Sequence, residues 1–141
     1  MERLHRSITE GVTAMAKQQL VWKRQPESQD YQGALNFMLL IFSDIRSAKL
    51  LRSLRNGKTR HCAAKDLLRA AQLPLLPRDE PHVDADLKRI HKGKRLPPVL
   101  LVRGDMGSGI PLIVVDGYHR ICAIYYHDES APIPCKLADP P

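Results

Sequence analysis

The stretch Ile113-Val114-Val115-Asp116-Gly117-Tyr118-His119-Arg120 constrains this chain more than any other. Three β-branched residues in a row suit a pleated, buried strand. The run stops at Asp116-Gly117, and the apolar residues that follow, Ile121-Cys122-Ala123-Ile124, no longer alternate with polar ones. We therefore expect a buried strand that ends in glycine and turns straight into a helix. The first N–H groups of such a helix are unpaired and lie at the positive end of its dipole. Glycine permits the bend and lets an anion approach the backbone. His119 and Arg120 fall in that first turn, and the planar fork of an arginine matches phosphate oxygens. The placement suits a bound phosphate or another oxyanion. The same residues also allow a structural reading. Asp116 could cap the helix, Gly117 could serve the turn, and His119 and Arg120 could pair with Asp116 or Asp128.

The remaining chain bounds this reading. Its 141 residues are enough for one domain with a real core. The formal charge of +7 favours polyanionic partners, although basic surfaces are common without one. No apolar run approaches a membrane span, and no apolar stretch follows the N-terminal charges as in a secretory signal. A cytoplasmic protein with no membrane partner is expected. Cys62, Cys122 and Cys135 are odd in number and far apart, and the histidines lack ligand spacing. Neither a disulfide framework nor a metal site is expected, and the cysteines read as small buried residues. Aromatic residues are 5% of the chain, thin for a platform that stacks bases, so Trp22 and Tyr31 read as anchors of the N-terminal region.

Residues 3–20 read as a frayed helix. Ser28 or Asp30 then suits the cap of a buried helix with Ala34, Phe37, Met38, Leu39, Ile41 and Phe42 on a wide apolar face. That helix could also form the seam of a homodimer. Ser43 or Asp44 opens the next helix, with Ala48, Leu50, Leu51 and Leu54 inward, Arg46, Lys49, Arg52 and Arg55 outward, and a stop at Asn56-Gly57. A short strand is expected near 59–64 and a helix over Lys65 to Leu73. Another helix carries Val83, Leu87 and Ile90 at helical spacing and ends at Gly93. Two strands, 97–102 and 111–115, flank the glycine-rich turn 103–109 and are expected to pair as a hairpin. That turn lacks the lysine and helix of a phosphate loop. A last strand, 131–137, contains two prolines and is expected at an edge. The class is α+β, with a helical segment over 1–58 packed on a domain over 59–141.

From His82 to Leu137 the chain resembles the ParB/sulfiredoxin superfamily. The order of elements is the same: a helix, a strand entered from prolines, a hairpin, a strand ending in glycine, a helix opening with His-Arg or Arg-Arg, and a short final strand. Sulfiredoxins carry Gly-Gly-Cys-His-Arg at the turn, ParB proteins carry Gly-Glu-Arg-Arg, and many bacterial relatives carry Asp-Gly-His-His-Arg or similar. The last is nearest to Asp116-Gly117-Tyr118-His119-Arg120. The resemblance implies a small mixed sheet with helices. It also implies phosphate contacts from Gly117, Tyr118, His119 and Arg120, to a nucleotide with Mg2+ or to nucleic acid. An ungapped alignment sets His82, Ala85 and Arg89 where sulfiredoxins use lysine, serine and threonine, so His82 and Arg89 become additional anion contacts. The sulfiredoxin cysteine falls on Tyr118, and a phenol cannot serve as that thiolate. Sulfinate reduction is therefore not expected. The sequence continues only briefly past the last strand, so no ParB-type DNA-reading helices are expected in this chain. Hydrolysis of the bound ligand would use His119 and Asp116. Two alternatives stand beside it. One is a metal-dependent nuclease, a toxin or defence factor, drawing on Asp105, Asp116 and Asp128. The other is a non-enzymatic interaction module that kept the fold without its ligand.

Overall fold

The structure, a computed structural model, describes residues 19–140. The helix expected over residues 3–20 lies outside the described residues, except for Gln19 and Leu20, which are not helical. The chain then runs α1 (Ser28–Ile41), α2 (Asp44–Asn56), β1 (Thr59–Ala63), α3 (Ala64–Ala71), α4 (Pro81–His91) and β2 (Val99–Val102). A 3-10 turn (Met106–Ser108) leads to β3 (Ile113–Asp116), α5 (Tyr118–His127) and β4 (Pro132–Ala138). This is a mixed α+β fold with a four-stranded sheet in the order β1-β4-β2-β3.

β2 and β3 form the antiparallel hairpin that the sequence predicts. The final strand departs from expectation. β4 lies inside the sheet, antiparallel to β1 and parallel to β2, not at an edge. Its prolines are tolerated because of where they fall. Over Pro132 to Pro134, β4 has β1 alone beside it, and pairing with β2 begins only at Cys135. A missing N–H on the open side costs no ladder bond.

Both faces of the sheet are covered. Val99, Leu101, Ile133 and Cys135 join the larger core, with Leu67 of α3, Val83 and Leu87 of α4, and Ile121 and Ile124 of α5. Leu100, Val102, Val115 and Ala138 join a second core, with Ala34 and Met38 of α1 and Leu50 and Leu54 of α2. All four residues of β2 are buried, as a strand sandwiched between two layers requires. Each fully buried aliphatic side chain contributes about 1.5–3 kcal/mol. Trp22 packs against the larger core, and its segment bonds to Leu96 on both sides: Lys23 N–H donates to the Leu96 carbonyl at 2.8 Å, and Leu96 N–H donates to Val21 at 3.0 Å.

Two local expectations are corrected. The apolar face of α1 is narrower than its sequence suggests. Ala34 and Met38 are buried, whereas Phe37, Leu39, Leu40 and Ile41 are exposed, and Ile45 of α2 adds to the same exposed apolar set. A helix lying on one sheet face and one neighbour covers only part of its circumference. Its cap is Glu27, with the Asp30 carboxylate accepting the Glu27 N–H at 2.7 Å, so Asp30 acts at the third helical position. In α2, Ser43 is the cap as expected, Leu50 and Leu54 point inward, and Ser47 is buried where Ala48 was expected. Cys122 and Cys135 are buried, and the Cys135 thiol lies 3.4 Å from that of the partly buried Cys62.

Candidate functional site

The β3–α5 turn is built from a slipped register. Leu101 pairs with Val114 but Leu100 pairs with Asp116, so an irregularity falls between them. Val115 and Asp116 consequently both reach the α1 side of the sheet. Val115 joins the core there, and the Asp116 carboxylate lies against Gly33, 3.5 Å from where a Cβ would stand. Gly117 then adopts φ 110°, and a Cβ on it would come within 2.6 Å of Val99 Cγ1. Both the backbone angle and the contact require glycine. Gly117 is also the cap of α5, and with no side chain it covers none of the amides of the first turn.

Arg120 points back into the protein. Its guanidinium donates to the Pro98 carbonyl at 3.0 Å and to Asp116 at 3.2 Å, its side chain is 11% exposed, and its Nε is buried without a protein partner. Asp116 is pushed up to about 6. Burial is the main cause; Arg120 opposes it, and the carboxylates of Asp30 and Asp86 reinforce it. His119 is different: its ring is 42% exposed and sits 4.7 Å from the His82 ring, tilted by 34°. Tyr118 stacks beside His119, but its hydroxyl donates to the Pro74 carbonyl at 2.6 Å, which ties it to the segment between α3 and α4.

A cleft of about 230 Å3 opens at this point. Its lining comes from α4 (His82, Ala85, Asp86, Arg89) and from the turn itself (Asp116, Gly117, His119, Arg120). The three α4 positions singled out in the sequence therefore meet the β3–α5 turn in one concavity. Arg89 bonds to Asp86 at 2.7 Å, yet its side chain stays 57% exposed and within reach of a ligand. Leaving the histidines aside, two arginines face two aspartates here. A larger depression of about 530 Å3 lies at α2, between Lys49, Arg52 and Asp139; it holds part of that helix's basic face and none of the site residues expected from the sequence.

Sequence reasoning missed Glu80. It caps α4, accepting the N–H groups of His82 at 2.9 Å and Val83 at 2.8 Å, and its other oxygen meets His82 Nδ1 at 3.1 Å. Its pKa is lowered: burial acts against this, and the bond from Val83, the bond to His82 and the nearby His119 outweigh it. Pro81 at the first helical position was the available signal for a helix start here. The three aspartates of the nuclease reading do not converge. Asp105 accepts bonds from Gly107 and Ser108 in the β2–β3 turn, Asp116 ends β3, and Asp128 follows the far end of α5. Among the described residues the metal-competent cluster is Glu80, His82 and His119, where spacing along the chain had suggested none. No family model, curated protein or solved structure matches the chain.

Proposed function

We propose that this chain is a small ParB/sulfiredoxin-like domain that binds the phosphate of a nucleotide or nucleic acid at the start of α5. The observation that carries this reading is the uncapped first turn of α5 opening into a concavity that also holds His82, Arg89 and His119. Free amides at a helix start, with donors on the facing helix, are a general anion site. The sequence of elements from α4 to β4 adds support through the resemblance stated above.

In this reading the roles divide by exposure. His119, His82 and Arg89 supply the donors that reach solvent, and Gly117 lets the phosphate approach the backbone. Arg120 organises the turn from behind, because its bonds go to Pro98 and Asp116. In a hydrolytic version of this reading, with the ligand brought in with Mg2+, Asp116, raised to about 6, and His119 would be the groups to exchange protons with the attacking water.

The inward course of Arg120, with its guanidinium bonded to Pro98 and Asp116, favours a second reading, an interaction module that kept the turn for its architecture. One experiment separates the two. Thermal melting is followed with ATP, CTP, GTP, pyrophosphate and short single- and double-stranded oligonucleotides, with and without Mg2+, for the natural protein and for a His119→Ala/Arg89→Ala variant. A ligand at about 100 times its Kd stabilises by about 2.7 kcal/mol, a readable shift in Tm. The phosphate reading expects a shift in the natural protein that the double variant loses. A cooperative melt unmoved by every ligand points to the module instead.

A further inference from the structure

Glu80, His82 and His119 bring a carboxylate oxygen and two imidazole nitrogens within 4.8 Å of one another, and we propose that they hold a divalent transition-metal ion, with zinc the best match. The donor set is the first argument. Two imidazoles and one carboxylate are ordinary zinc ligands, whereas magnesium and calcium take oxygen almost alone.

The spacing is the second argument. A tetrahedral ion about 2.0–2.1 Å from each donor holds those donors roughly 3.3 Å apart. Glu80 Oε1 lies 3.1 Å from His82 Nδ1 and Glu80 Oε2 lies 3.9 Å from His119 Nε2, and the three donors lie within 4.8 Å of one another, so a small inward shift of the exposed rings brings them to that spacing. The longer of these distances exceeds a hydrogen bond, so His119 faces Glu80 without closing on it.

The third argument is rigidity. The Glu80 carboxylate is pinned by the two amides that it caps, and His82 follows two residues later on the same helix start. His119 comes from the first turn of α5, and α4 and α5 share the larger core through Val83, Leu87, Ile121 and Ile124. A site assembled on two packed helices loses little freedom when it closes on an ion. The His82 ring is 74% exposed, so an ion reaches the site without unfolding. Three protein donors also leave a coordination position for water. The site shares both histidines with the cleft, and a ring nitrogen held by the ion cannot donate to phosphate, so the two ligands compete for these rings; zinc uptake is therefore read without phosphate, where its outcome does not rest on the phosphate reading.

The test uses the full chain, stripped with chelator and free of phosphate and nucleotide. Zinc chloride is titrated by calorimetry, with magnesium chloride in parallel. The natural protein is compared with His82→Ala, His119→Ala and Cys62→Ser. The last is needed as a control because the Cys62 and Cys135 thiols lie 3.4 Å apart and thiols are soft donors for zinc. We expect zinc uptake that either histidine variant weakens at least tenfold, that Cys62→Ser leaves unchanged, and that magnesium does not imitate. Each variant is checked for a cooperative melt. Absence of zinc uptake by the folded protein overturns the proposal. So does uptake that both histidine variants preserve, or magnesium uptake of equal strength.

Discussion

Gly117 and Asp116 meet opposite demands at adjacent positions. Gly117 combines a left-handed backbone with a contact against Val99 that leaves no room for a Cβ. Gly117→Ala is expected to cost about 2–4 kcal/mol, adding backbone strain to overpacking, measured by urea unfolding. Asp116 is held at a pKa near 6, above its ordinary 3.8, so the folded protein binds that proton more tightly than the unfolded chain. The carboxylate therefore contributes stability that is full below about pH 4 and is lost as pH rises through about 6. Asp116→Asn is expected to flatten this part of the stability–pH curve and to melt no lower than the natural protein at pH 7.5. A natural-minus-variant difference that rises with pH would contradict it. The glycine was legible in the sequence, because a β-branched run stopping at Asp-Gly has few other meanings. The state of Asp116 and Arg120 was not, since Gly33, Pro98 and Asp30 reach them from distant parts of the chain.

At the scale of the element, α1 shows what periodicity can and cannot supply. Its apolar residues predicted a helix, and a helix forms; they did not say which side would meet the sheet. That is decided by β2, β3 and α2, through partners such as Val102, Val115 and Leu54. Two substitutions only two positions apart, on opposite faces of the helix, separate these cases. Met38 is fully buried, so Met38→Ala is expected to cost about 2–5 kcal/mol in urea unfolding. Leu40 is 84% exposed, so Leu40→Ser is expected to stay within about 0.5 kcal/mol. If α1 is a dimer seam, the Leu40 variant instead loses stability in a manner that depends on protein concentration. In α4 the cap escaped notice because glutamate is not among the preferred capping residues, and only Pro81 marked the start.

Across the whole molecule, the class and most elements followed from hydrophobic rhythm, and so did the β2–β3 hairpin, which is a local pairing. The sheet order did not. Prolines in β4 argued for an edge, and the rule they obey is finer: a proline needs only a gap on one side of its own segment. The position of β4 has a consequence in time as well as space. It is the last of the four strands to be synthesised, yet it is the one that joins β1 to the β2–β3 hairpin. While residues 132–138 are still on or inside the ribosome, β1 and β2 have no partner between them. The early helices can form, and so can the hairpin, but they remain separate pieces with both sheet edges open. Assembly of this fold therefore waits for β4, and its slowest pairing spans the greatest stretch of chain.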